Sequence, residues 1–223
     1  MVDQQALPKA VHVLSVGPFG QAVSRYIRAT RADVTETTVS KDLSAPEMWP
    51  VARIRVIVAW RPVPDLCELA DQSSHQCRVP FIPVVLDSPT LRIGPVVVPG
   101  HGSCWACWSK RSRQRSPWSN QKSVLVRHYA SHPEEGPHGY LESFAALAAA
   151  RICPLIEAVD SASNLGGYIW QIDVITRKIT TRTVIGIHDC PRCGTHRPPS
   201  SRCFEGMRRE LEYLWTLKEP TQG

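Results

Sequence analysis

At 223 residues with 43% hydrophobic side chains, the chain is long enough to bury one sizeable core and too short for two large ones. The formal charge of +6 points to an acidic partner such as a nucleotide, a phosphate backbone or an acidic peptide, without choosing among them. No apolar run reaches the length of a membrane span, and the opening MVDQQALPKA lacks the basic head and apolar middle of an export signal, so the expected location is cytoplasmic.

In chain order, VHVLSVGPFGQAVSRYIRAT (11–30) reads as a short apolar strand, a tight turn at Gly17 and Gly20, and a helix spaced through Val23, Tyr26 and Ile27. A dinucleotide loop would read G-x-G-x-x-G; here Ser15 takes the first glycine's place. Gly17 and Gly20 are therefore candidate nucleotide-binding residues, or simply glycines that a close strand-to-helix turn requires. RIRVIVAWRPVPDLCELADQ (53–72) repeats the theme, with Leu66 and Leu69 on one helix face. This is the βαβ rhythm of a parallel sheet covered by helices. FIPVVLDSPTLRIGPVVVPG (81–100) predicts an antiparallel hairpin around Asp87, Ser88 and Pro89, which makes the sheet mixed.

From Ser88 to Pro133 there is no Asp or Glu, and the stretch over 110–138 shows no clear periodicity. It is expected to be a long, basic, exposed connection. YLESFAALAAARICPLIEAVD (140–160) predicts a helix interrupted or bent at Pro154. YIWQIDVITRKITTRTVIGI (168–187) predicts a half-buried hairpin, and FEGMRRELEYLWTLK (204–218) a last helix with Met207, Leu211, Leu214 and Trp215 along one stripe. A single domain over 1–223 follows, with residues 1–10 as a tail, 110–138 as the connection, and 188–223 carrying a cysteine knuckle and the last helix.

Eight cysteines in a chain of this size without an export signal favour metal binding or free thiols over a disulfide framework. Cys104 and Cys107 form one C-x-x-C and Cys190 and Cys193 another, 190 − 107 = 83 positions apart. Two such knuckles supply the four thiolates of a structural zinc site, with no ligand position left for an activated water. A redox pair accounts for only one of the two motifs. His188 and Cys203 are substitute ligands by position, whereas Cys67, Cys77 and Cys153 read as small apolar residues. No G-x-S-x-G, H-E-x-x-H or G-x-x-x-x-G-K-[ST] pattern is present.

Taken in order, VGPFG (16–20), RIGPVVVPGHGSCWACWSKR (92–111) and HDCPRCG (188–194) resemble the ThiF-like, ubiquitin-activating-enzyme-like cyclodehydratase partner proteins of ribosomal peptide natural product pathways. Their most specific part is Gly94, Pro95, Pro99, Gly100, Cys104 and Cys107, followed by Lys110 and Arg111. The resemblance implies an α/β fold: a Rossmann-like mixed sheet flanked by helices, as in adenylating enzymes, with a four-cysteine zinc knuckle site. It further implies a YcaO-type enzyme as partner, which uses ATP to modify the backbone of a ribosomally made precursor peptide that the ThiF-like protein presents. Lys110, Arg111, Arg113 and Arg115 are the expected peptide or partner surface.

Two departures shape the expected role. Relatives that capture a leader peptide commonly carry an N-terminal winged-helix-like domain, and here ten residues precede the first strand. Active adenylating members keep a metal-binding Asp after a later strand, where this chain has Ala59, Trp60 and Arg61. Without that carboxylate, Mg²⁺ and the phosphate charge it neutralises lack a holder, so the chain is expected to be a non-adenylating scaffold. An active adenylating enzyme holding ATP at Gly17 and Gly20 is the alternative. A zinc-ribbon-like nucleic-acid binder using Trp105, Trp108 and Trp118 is a third. Pairing with a second copy of the chain is left open.

Overall fold

Strand β1 (Val11–Val16) is buried at every position, which a strand can be only when both faces of its sheet are covered. The computed structural model describes residues 10–39, 45–137, 139–159 and 163–194, and within them β1 lies near one edge of a seven-stranded sheet. The other strands are β2 (Val34–Val39), β3 (Ile54–Ala59), β4 (Phe81–Asp87), β5 (Thr90–Ile93), β6 (Tyr168–Asp173) and β7 (Ile179–Thr183). Their spatial order is β2-β1-β3-β4-β5-β6-β7. The first four run parallel and the remaining pairings are antiparallel. The mixed sheet flanked by helices is thus as expected.

The two faces of the sheet bury different halves of each strand. Val11 and Val13 join Val56, Val58, Ile82 and Val84 on one face, against Phe19, Val23 and Ile27 of helix α1 (Gly17–Thr30) and Ala145, Ala148, Ile152 and Ile156 of helix α5 (Glu142–Ala158). Leu14 and Val16 join Ile57, Ala59 and Phe81 on the other, against Leu66, Cys67 and Ala70 of helix α2 (Pro64–Cys77). Because both faces are covered, β1 and β3 read as mainly apolar runs, broken only by His12, Ser15 and Arg55.

Both predicted hairpins form. Asp87 pairs with Thr90 across a two-residue loop, and Ile172 pairs with Ile179. Strand β2 has no counterpart in the sequence reading: VTETTV is an edge strand of mixed burial with only two valines. Of the two expectations at Pro154, interruption or bend, the interruption is not found: helix α5 runs unbroken through it. Pro154 is exposed, so the carbonyl that loses its intrahelical donor faces water, which replaces it.

The basic stretch over 110–138, expected as a long exposed connection, is largely exposed but is helical rather than a loop. Helix α3 (Trp105–Arg115) and helix α4 (Ser119–Ser131) fill most of it. Neither shows an apolar stripe, because α3 is fastened at its first turn and α4 has no buried residue at all. Among the described residues, no helix is long and apolar enough to cross a membrane. The expected last helix and Cys203 lie outside the described residues.

Candidate metal centre

The first cysteine pair opens helix α3. Cys104 is its N-cap and Cys107 sits in its first turn. The second pair follows β7 in a turn entered through Asp189, whose φ is +52°, and closed by the Gly194 N–H donating to the Cys190 carbonyl at 2.7 Å. The fold brings the two turns together, and all four sulfurs lie within 4.8 Å of one another. Cys104 to Cys107 is 3.6 Å, Cys104 to Cys190 3.7 Å and Cys107 to Cys193 3.6 Å.

Those separations are far beyond the roughly 2.05 Å of a disulfide. They match the edge of about 3.8 Å expected when four sulfurs each sit about 2.3 Å from one tetrahedral ion. All four cysteines are buried, so the donor set and its geometry fit a structural metal. It is the one such cluster among the described residues. His188 is not part of it; it is exposed and pairs with Asp189 at 2.8 Å.

The surroundings favour thiolates. Helix α3 presents its positive N-terminal end to Cys104 and Cys107, and the Ile187 N–H donates to Cys107 Sγ at 3.3 Å. Cys107 is held well below the usual thiol range, first by the proton that Cys104 shares with it, and Cys104 is raised by that same hydrogen bond. Away from the cluster, burial pushes the Cys67 thiol up to about 12, in keeping with an inert apolar role. Cys77 is exposed and Cys153 half-buried.

Sequence reading misses the residues that join the knuckles. Asp71 of α2 accepts the Trp105 and Ala106 N–H groups at 3.1 and 3.3 Å. These two amides at the start of α3 have no partner within the helix, and Asp71 supplies one from outside. Arg192, between Cys190 and Cys193, donates to Asp71 at 2.5 Å and to Glu68 at 2.5 Å. A lone carboxylate in a helix carries no spacing that marks it; Arg192 inside C-P-R-C is the only hint.

The four predicted basic surface residues do not act alike. Arg111 donates to the carbonyls of Ile185 and Gly186 at 2.7 and 3.4 Å, tying α3 to the segment that leads into the second knuckle. Lys110, Arg113 and Arg115 are exposed. Lys110 borders an open groove of about 590 Å³ shared with Cys107, Cys190 and Arg192. Trp105 is buried in the core, and Trp108 lies under the Arg92 guanidinium at 4.0 Å. Trp118, by contrast, is 63% exposed.

At the other end of the sheet, β1 is flanked by β2 and β3, so the strand order reverses beside it, at the carboxyl ends of β1 and β3. Gly17 and Gly20 sit there, and each has a packing reason. A Cβ on Gly20 would meet the Val58 carbonyl at 2.5 Å, and one on Gly17, where φ is +69°, would meet the Trp60 indole at 2.4 Å. Trp60 also lies against Gly136, where a Cβ would come within 2.8 Å of the ring. The next residue, Arg61, is 6% exposed. It donates to the carbonyls of Tyr129 and Pro133 at 3.4 and 3.0 Å and lies 4.6 Å over the Tyr129 ring. Trp60 thus packs between the Gly17 turn and Gly136, and Arg61 straps the end of α4 to the end of β3; beside Trp60 an open cavity of about 470 Å³ remains, lined also by Leu86, Tyr140 and Phe144.

The sequence matches no protein-family model and no curated protein. Solved structures do match. The heterocyclase TruD superposes with a TM-score of 0.60 at 19% identity, over 84% of this chain and 28% of that one. The two share a fold. E. coli MccB, solved with selenomethionine MccA, gives 0.57 at 19% identity over 84% and 67%. A chain of the E. coli microcin synthetase McbBCD complex gives 0.55 at 16% over 84% and 70%. This chain therefore spans little more than a quarter of the TruD chain.

Proposed function

We propose that the chain is a zinc-stabilised, non-adenylating scaffold of the ThiF-like type. It docks on a YcaO-type enzyme in the cytoplasm and helps to place or activate a ribosomally made precursor peptide for ATP-dependent backbone modification, such as azoline formation. The observation that carries this reading is what stands at the carboxyl end of β3. Where an adenylating relative needs open space and a carboxylate for Mg²⁺, this chain has the Trp60 indole packed between Gly17 and Gly136, followed by a buried arginine. The Rossmann-like adenylating scaffold is in this view retained as a platform. The likeness in fold to a heterocyclase, to MccB and to a chain of a microcin synthetase complex supports the pathway.

Zinc is the ion that suits four buried thiolates at tetrahedral spacing, and it would hold the two knuckles together without an open ligand position. The partner surface is the acid-free side of α3 and α4. Arg113 and Arg115 face solvent there, joined by the exposed Trp118, Val124 and Leu125 of a helix with no fully buried residue. A 13-residue helix with so little tertiary contact is marginal by itself, and a partner that covers it would stabilise it.

The test is reconstitution of this chain with the YcaO-type enzyme and precursor peptide encoded beside it, followed by mass analysis of the peptide. Loss of one water per ring only when this chain is present supports the reading; equal modification without it overturns the scaffold role. Precursor-dependent pyrophosphate exchange by this chain alone would replace it with an adenylating enzyme. Reversing Arg113 and Arg115 to Glu is expected to weaken the complex at least tenfold in a pull-down.

A further inference from the structure

Asp71 is the one buried carboxylate among the described residues. A carboxylate withdrawn from water is held only where other donors replace its hydration. Apart from His75 on its own helix, whose Nδ1 approaches to 3.7 Å, every donor to Asp71 comes from a cysteine knuckle. The Trp105 and Ala106 amides belong to the turn between Cys104 and Cys107. The Arg192 guanidinium belongs to the turn between Cys190 and Cys193. One carboxylate therefore joins two segments far apart in the chain, and it sits on a third element, α2, whose Leu66, Cys67 and Ala70 are set in the core.

We propose that Asp71 is the bracket of the cysteine cage: it anchors both knuckles to α2 and holds the four sulfurs in register independently of the ion, so that the site is preorganised. This inference rests on reading the four cysteines as a metal centre. It departs from the behaviour of small zinc modules, whose ligands come together only when the ion arrives. The bracket works by three hydrogen bonds, two to helix-start amides and one charge-assisted to a guanidinium, and Glu68 steadies the guanidinium from its other side. Such outer partners alter metal affinity when removed although they never touch the ion.

The test compares the wild-type chain with Asp71→Asn, which keeps the shape and removes the charge, and with Arg192→Met, which leaves Asp71 its two amide donors. Zinc affinity is measured by competition with a chromogenic chelator. Separately, the chelator-treated proteins are alkylated, and the rates at Cys104, Cys107, Cys190 and Cys193 are mapped by mass spectrometry. Asp71→Asn is expected to bind zinc about 10- to 100-fold more weakly and to alkylate at least tenfold faster at all four positions, with Arg192→Met moving in the same direction. Wild-type affinity together with wild-type alkylation rates in either variant overturns the bracket. If Asp71→Asn does not fold, Arg192→Met alone decides by the same two readouts. A wild-type chain that binds no zinc sinks the metal reading instead, and the alkylation arm still decides whether Asp71 holds the thiols together.

Discussion

The Trp60 indole and the Gly17 backbone occupy adjoining space so closely that a single added carbon on Gly17 would lie 2.4 Å from Trp60 Nε1. Gly17→Ala therefore meets two penalties, a clash and a positive φ that L side chains avoid. A loss of about 2 to 4 kcal/mol in chemical denaturation is expected. Adding Trp60→Ala removes the clash but not the φ penalty, so the double variant should lose less than the sum of the single losses, by about 1 kcal/mol or more. Strict additivity would show that the two residues do not touch.

Arg61 should govern the order of α4. Arg61→Met removes its bonds to the Tyr129 and Pro133 carbonyls and leaves those groups for water to solvate. A charged hydrogen bond of this kind contributes about 1.5 to 3 kcal/mol. Hydrogen exchange across 119–131 is expected to speed up at least tenfold while exchange in β1 and β3 stays as it is. Uniform acceleration everywhere would mean that Arg61 supports the whole fold rather than the strap.

His12 is buried beside Arg55, and its pKa is lowered to about 4, first by burial and then by that positive neighbour. In the unfolded chain the ring titrates near its ordinary value of about 6.5. As pH falls from about 6.5 to 4, the unfolded state thus takes up a proton that the folded state does not, and stability declines across that window. Above it the contribution is complete. His12→Gln should flatten this decline, seen as a smaller fall in melting temperature between pH 7 and 4 for chelator-treated proteins; an unchanged slope would refute it.

Cys190→Ser should reduce bound zinc from about one ion per chain to near zero, because three sulfurs and a neutral hydroxyl no longer complete a thiolate set. A fall in melting temperature on the order of 10 °C should accompany it. Full metal content in this variant would remove Cys190 from the site.

What could be read in the sequence follows from how each element is held. Strands β1 and β3 announce themselves because both faces are covered, and α1 because Val23 and Ile27 point at a sheet. Helices α3 and α4 do not. Cys104 and Asp71 fasten α3 by its first turn, and Arg61 straps α4 by its last, so neither needs an apolar stripe. In the site, the doubled C-x-x-C locates the sulfurs, but Asp71 has no pattern, since a buried carboxylate is recognised only by what surrounds it. Trp60 is visible in the sequence as one of three residues, Ala59, Trp60 and Arg61, that stand where the resemblance leads one to expect a metal-binding Asp. Its place between Gly17 and Gly136 depends on two glycines 119 positions apart (136 − 17) lying on either side of it.

The 83 positions between Cys107 and Cys190 also set a clock. A ribosome adding about 5 to 20 residues per second needs roughly 4 to 17 s to cross them. In that interval α4, α5 and the β6–β7 hairpin are all synthesised, while two of the four sulfurs wait without their counterparts. An ion held by all four could be enclosed only after the last antiparallel strands have been synthesised, so a loaded cage would report that the chain has been made through β7.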